Sequence, residues 1–149
     1  MNPPRLKPPH VAFALIALGV AAHFAVPEPV RGHFRCLPGG AVLFAAGFGT
    51  MIWAWWLFRR AGTPIRPTDR PARLVTAGPY RISRNPMYLG IVAMLLGIAL
   101  AVGSWPMLIA PVGFFAFMSA VFIPFETERL RRIFGEEYDS YAKRVREWI

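Results

Sequence analysis

Two polar segments stand out in an otherwise apolar chain, because each puts charge where a helix would meet a membrane surface. The first runs Thr76-Ala77-Gly78-Pro79-Tyr80-Arg81-Ile82-Ser83-Arg84-Asn85-Pro86-Met87-Tyr88-Leu89-Gly90. Asn85 suits an N-cap and Pro86 is preset for a first helical turn, so a helix is predicted to begin here. Its start leaves backbone N–H groups and a positive dipole end beside Arg81 and Arg84, a setting that suits an anion or carboxylate. Tyr88 projects from the first turn and Gly90 admits a close neighbour. The same residues would also make an ordinary basic loop with a good cap, and their types alone leave both uses open.

The second segment, Pro124-Phe125-Glu126-Thr127-Glu128-Arg129-Leu130-Arg131-Arg132-Ile133-Phe134-Gly135-Glu136-Glu137-Tyr138, follows a long apolar run. Glu126 and Glu128 at the C-terminal end of a span oppose the helix dipole and need a compensating cation. Nearby arginines can supply it, and so can an ordered positive ligand. Beyond Gly135, residues Tyr138, Tyr141, Ala142, Val145, Trp148 and Ile149 recur at helical spacing, with Lys143, Arg144 and Arg146 on other faces. This predicts a C-terminal amphipathic cytoplasmic helix that lies along the membrane or caps the bundle.

The elements that must position these segments follow from hydropathy. Of 149 residues, 55% are hydrophobic, more than a soluble core of this size buries, so the excess is expected to face lipid. Four uncharged stretches approach the roughly 20 residues that span a hydrocarbon core, at about 8–27, 37–58, 86–104 and 106–125. The expected fold is all-α, an integral membrane bundle of about four transmembrane helices in a single domain, 1–149. A cytoplasmic motif loop covers 59–86 and a cytoplasmic tail 126–149. Gly103-Ser104-Trp105-Pro106 is so short a link that the last two spans must form an antiparallel hairpin, with Trp105 at the far interface.

The net charge of +9 follows the same topology. Arg5 and Lys7 precede the first span, whereas Arg59, Arg60, Arg66, Arg70, Arg73, Arg81 and Arg84 crowd between the second and third. Only Arg31 and Arg35 lie between the first and second. The positive-inside rule then places both termini in the cytoplasm, and the brevity of the chain suggests a bacterial inner membrane. Orientation and anionic headgroups account for the basic residues, so no nucleic-acid partner is expected. A retained first span is expected rather than a cleaved signal peptide, because Phe24-Ala25-Val26-Pro27 is a weak cleavage site. Small residues along the second span (Gly39, Gly40, Ala45, Ala46, Gly47, Gly49) allow close helix packing. The Trp53-Ala54-Trp55-Trp56 cluster suits interface anchoring, or the lining of a lipid entrance. Lone Cys36 forms no internal disulfide, and His10, His23 and His33 lack ligand spacing, so no metal is expected. His23, inside the first span, is expected to bond a neighbouring helix or to sit near the outer interface.

Taken together, the two segments resemble the isoprenylcysteine carboxyl methyltransferase family, and more loosely the phospholipid N-methyltransferases, over roughly residues 39–149. One signature reads Gly78-Pro79-Tyr80 followed by Arg84-Asn85-Pro86-Met87-Tyr88-Leu89-Gly90. The other reads Glu126-Thr127-Glu128-Arg129-Leu130, then Phe134-Gly135, Tyr138 and Tyr141. Asn85 stands where many members have His, and the usual adjacent Glu pair is interrupted by Thr127. The resemblance implies a small helical bundle with a cytoplasmic pocket for S-adenosylmethionine, released as S-adenosylhomocysteine, and a lipophilic acceptor arriving from the bilayer. It implies that Glu126, helped by Glu128, binds the cofactor's amino group. Arg84, Asn85, Pro86 at the helix start and Tyr88 would hold its carboxylate and adenosyl portion, with Gly78 and Tyr80 in the pocket wall. Arg81 or Arg84 would orient the acceptor. Carboxyl O-methylation is favoured; amine N-methylation, and a non-enzymatic scaffold or transporter, are the alternatives.

Overall fold

Prolines set most of the helix starts. Pro8 and Pro9 open α1 (Pro8–Ala25), Pro38 lies in the first turn of α2 (Leu37–Arg60), and Pro86 begins α3 (Pro86–Val102). At these positions the missing N–H costs no helical hydrogen bond. Pro27 ends α1 indirectly: it drives Val26 to an extended conformation, φ −84° and ψ 129°. Gly103 closes α3 in the left-handed region at φ +77°. The long helix α4 (Trp105–Phe134) follows at once, and then α5 (Glu136–Arg144). The computed structural model describes residues 7–62 and 73–149; Arg5, Arg66 and Arg70, which carry part of the charge asymmetry, lie outside the described residues, as does much of the motif loop.

Helices α1, α2 and α4 are long and apolar enough to cross a membrane, and α3, with 17 residues, is a shorter apolar helix. At 1.5 Å per residue α3 is about 26 Å long, near the thickness of a hydrocarbon core. Large side chains such as Phe13, Phe24, Val42 and Phe48 face outward from α1 and α2. An all-helical, multi-pass membrane bundle accounts for them, since lipid rather than water covers such faces.

The fourth span was expected to stop near residue 125, but α4 continues to Phe134. Pro124 does not break it, because the turn before it, Met118–Phe122, is π-helical. The wider turn absorbs the bond and the space that an interior proline removes. Glu126 and Glu128 therefore sit on a continuous helix. The core lies around this element: Phe114, Met118, Phe122 and Ile123 are buried against Val11 of α1 and Leu95 of α3.

α2 and α3 pack backbone to backbone. A Cβ on Gly40 would stand 2.5 Å from the Gly97 carbonyl oxygen, and one on Gly47 2.5 Å from that of Gly90. The reciprocal approaches, Gly90 to Gly47 and Gly97 to Gly40, are 2.6 and 2.7 Å. These paired glycines, seven residues apart on each antiparallel helix, are what the small-residue pattern of the second span predicted. Gly49 faces open space, so it plays no part in this contact.

The hairpin end is closed by polar groups that satisfy one another. His23 Nδ1 is 2.7 Å from Ser104 Oγ, and Arg31 Nη1 is 3.3 Å from His23 Nε2. Arginine can only donate, so Nε2 accepts and the Nδ1–H donates to Ser104. His23 thus bonds a neighbouring helix connection rather than lining a site. Trp105 is exposed at the same end, packed on Phe34 at 4.7 Å between ring centroids.

Candidate functional site

At the opposite end the two polar segments meet. The Tyr88 hydroxyl, in the first turn of α3, donates to Glu126 Oε1 at 2.7 Å. Tyr88 is held by packing against Phe114 of α4, with ring centroids 6.4 Å apart. Arg129, one turn beyond Glu126, adds a favourable charge. Glu128 takes another course: its carboxylate bonds Arg132 at 2.9 Å on the outer face of α4. Glu126 is thus the carboxylate brought to Tyr88, and Glu128 pairs along its own helix.

Arg84 is fixed by a relay that ends beside Glu126. Its Nη1 donates to the Tyr138 hydroxyl at 3.1 Å, and Tyr138 donates to Thr127 Oγ1 at 3.3 Å. Nη2 lies 3.3 Å from the Glu147 carboxylate. Arg84 Nε is buried and, among the described residues, is the one buried side-chain nitrogen or oxygen without a hydrogen-bond partner. An orphaned buried donor is costly, and on a guanidinium it leaves the edge that pairs with a carboxylate half used.

Asn85 occupies the N-cap position of α3, but its side chain makes no capping bond. Its Nδ2 donates instead to the Glu147 carbonyl at 3.0 Å, and its backbone N–H to Ser83 Oγ at 3.1 Å. The expected side-chain cap is corrected accordingly: the amide is recruited by a distant segment. Pro86 is buried at the helix start, and Arg81 is exposed on the loop.

Gly78 and Tyr80 belong to a 3₁₀ turn, Gly78–Arg81, pressed against α2. Gly78 adopts φ +59°, and a Cβ there would stand 2.8 Å from Leu57 Cδ1 and 3.1 Å from Trp53 Cζ2. That contact gives part of the tryptophan cluster a packing role. Tyr80 is buried against Phe58, with ring centroids 5.4 Å apart. Its hydroxyl is pushed well above the usual tyrosine range, chiefly by burial and then by Tyr141 and Glu126, which places it within the field of the Glu126 carboxylate. α5 turns its tyrosine face inward: Tyr138 and Tyr141 are buried, and the Tyr141 hydroxyl donates to the Tyr80 carbonyl at 2.7 Å. Burial, helped by Tyr138 and opposed by Arg84, pushes the Tyr141 hydroxyl up to about 12.

Three participants were not foreseen from the sequence: Ser83, Glu147 and Trp148. Ser83 is buried and bonds the Glu147 carbonyl at 3.2 Å. Trp148 donates Nε1 to Ser119 Oγ in the π turn at 3.1 Å. Ser83 has a local role as acceptor for the Asn85 N–H, but its bond to Glu147, like that of Trp148 to Ser119, crosses a long sequence separation that nothing local marks. Chemically, the assembly offers a carboxylate held by a tyrosine and a guanidinium edge with a spare donor. Together these suit a small zwitterion. No group of three or more His, Cys, Asp or Glu that could hold a metal occurs among the described residues.

A family model described as phospholipid methyltransferase matches residues 36–137, which include the first polar segment and the second as far as Glu137, and the chain belongs to that family. It is 37% identical over 79 residues to protein-S-isoprenylcysteine O-methyltransferase B of Arabidopsis thaliana, a match covering 49% of this chain and 37% of the relative. Probable protein-S-isoprenylcysteine O-methyltransferases of Oryza sativa subsp. indica and subsp. japonica match at the same identity, over 49% of this chain and 38% of theirs. The match spans less than two fifths of the length of these relatives. No solved structure matches the chain. The resemblance carried by the two signatures agrees with both the family and these relatives.

Proposed function

We propose that this member of the phospholipid methyltransferase family transfers a methyl group from S-adenosylmethionine to the carboxylate of a lipophilic acceptor in the bilayer. The relatives' names point to an isoprenylcysteine as the kind of acceptor. The observation that carries this reading is the 2.7 Å bond from Tyr88 to Glu126, which joins the two signature segments next to the relay from Arg84. The amino-acid end of the cofactor is a zwitterion, and the residues present fit it. Glu126 accepts from the ammonium while Tyr88 fixes the carboxylate's orientation. Arg84, through its Nε–Nη2 edge, takes the carboxylate.

When bound, the cofactor supplies a methyl group already activated on a sulfonium. The chain's task is to align the reactants and exclude water. With the cofactor held by Glu126, Tyr88 and Arg84, its methyl group would pass to an acceptor carboxylate oxygen, the C–S bond being exchanged for an O–C bond and its electron pair remaining with sulfur. The products are a methyl ester and S-adenosylhomocysteine. No proton moves, because a carboxylate is ionised near neutrality, so Tyr80, Tyr88 and Glu126 serve to hold and enclose. Exposed Arg81, at the loop edge, orients the acceptor. The end of the bundle that carries the site is cytoplasmic in this reading, with the cofactor arriving from water and the acceptor sideways from lipid.

The family description favours a second reading, methylation of a phospholipid amine, which would require loss of a proton before attack. Incubating the purified protein with methyl-labelled cofactor and total membrane extract distinguishes the two. Label released as methanol in base identifies an ester, and label retained through base identifies an amine. No transfer to any lipid or peptide refutes the enzymatic reading.

A further inference from the structure

The guanidinium assigned to an anionic ligand already holds an internal carboxylate. Beyond α5 the chain turns back across the loop before α3. Arg84 N donates to the Arg146 carbonyl at 2.9 Å, forming an isolated parallel bridge between Ser83 and Arg146. The Glu147 carbonyl is held by Asn85 and Ser83, and its carboxylate rests on Arg84. One residue on, Trp148 lies over Phe115 of α4 at 4.5 Å between ring centroids and bonds Ser119. Residues 145–148 therefore run as a strap from the motif loop to the π turn of α4.

The backbone of this strap is firmly held, but its carboxylate is not. Glu147 meets Arg84 through Nη2 alone at 3.3 Å, and its side chain is 49% exposed. Arg84 Nε, on the same edge of the guanidinium, is buried without a partner. A carboxylate seated on Arg84 in the fork geometry would take Nε and Nη2 together, which Glu147 does not. A partly exposed, single-contact ion pair is weak, so a better-placed carboxylate displaces it.

We propose that Glu147 is a displaceable internal carboxylate: a ligand carboxylate takes both Nε and Nη2 of Arg84, expels the Glu147 side chain and loosens residues 145–148. The proposal rests on the reading that the site accepts carboxylate-bearing ligands, and either the amino-acid end of the cofactor or an acceptor carboxylate could be the displacing group.

Hydrogen exchange of residues 145–149 in the full chain tests it, together with binding to wild type and Glu147→Gln, which keeps the backbone bonds of the strap. The probes are S-adenosylhomocysteine, N-acetyl-S-farnesylcysteine and the methyl ester of the latter. At least one carboxylate probe should speed exchange in the strap and bind Glu147→Gln about fivefold more tightly, the upper end for a partly exposed ion pair. The ester should do neither. An effect of S-adenosylhomocysteine assigns the displacing group to the cofactor, and an effect of the free acid assigns it to the acceptor. Binding with an unmoved strap, or weaker binding by Glu147→Gln, overturns the proposal and leaves the methyltransferase reading intact. Sodium acetate against sodium chloride at equal ionic strength tests the strap even if S-adenosylhomocysteine fails to bind, which alone would sink the methyltransferase reading. Acetate should speed exchange at 145–149, and equal exchange in the two salts overturns the strap.

Discussion

If Tyr88 acts by holding Glu126, removing either residue must weaken cofactor binding, and removing both must cost little more than removing Glu126 alone. The 2.7 Å contact is a hydroxyl donating to a carboxylate, and bonds to charged groups contribute about 1.5–3 kcal/mol. At about 1.4 kcal/mol per tenfold, Tyr88→Phe should raise the Kd for S-adenosylhomocysteine about tenfold. The substitution keeps the ring that packs on Phe114. Glu126→Ala removes the acceptor for the ammonium as well, and should raise the Kd about 100-fold. The double variant should match Glu126→Ala, whereas independent action would give about 1,000-fold. Calorimetric titration of the four proteins closes the cycle, with thermal melting in detergent to check that each remains folded. Equal affinity in all four would refute the site. Full additivity would refute the argument that Tyr88 works through the carboxylate.

Other elements make separable predictions. Gly47→Ala forces a Cβ to within 2.5 Å of the Gly90 carbonyl oxygen and should destabilise the bundle by about 1–3 kcal/mol, seen as a lower melting temperature, while Gly49→Ala, facing open space, should leave it unchanged. Tyr141 titrates higher in the fold than the usual tyrosine value of 10, so its contribution is complete below pH 10 and is lost as pH rises toward about 12. Exchange protection of residues 78–84 should fall over that window, and Tyr141→Phe should abolish that part of the pH dependence while losing about 1 kcal/mol of docking. Exposed Cys36, before α2, should react with a membrane-impermeant maleimide only from the side opposite the motif loop; labelling from the loop's side would reverse the proposed orientation.

What the sequence made legible was whatever short-range chemistry governs. Proline and glycine marked the ends of α1 and α3, apolar length marked the spans, and small residues marked the α2–α3 seam. The joining of Tyr88 to Glu126 was also within reach, because a hairpin returns the chain to the same membrane face. The Glu128–Arg132 pair is an i,i+4 contact, and its spacing alone could have separated Glu128 from Glu126. By contrast, the run of α4 past Pro124 depends on a π turn that no propensity marks. The diversion of Asn85 from capping depends on Glu147, 62 residues away. Long-range recruitment of a polar side chain leaves no local pattern, and this is why the strap was invisible in the sequence.

The two ends of the bundle face the same constraint, since polar groups near hydrocarbon must find partners within the protein. At the hairpin end the requirement is met in full: Arg31 donates to His23, which donates to Ser104, and Arg31 Nε also bonds the Val26 carbonyl at 2.9 Å. Such a set ties the end of α1 to the connection before α4, and no buried side-chain nitrogen or oxygen among its described residues lacks a partner. At the other end Arg84 is also drawn into the fold, yet its buried Nε remains without a partner, and the carboxylate beside it is held by one nitrogen at 3.3 Å. A guanidinium serving only to tie α5 to the loop would gain by closing its fork on Glu147, whose side chain is half exposed. That open fork is the feature on which the proposed ligand site rests. It is also why we propose the chemistry at Arg84 and Glu126 rather than at the histidine that lies deeper in the apolar sequence.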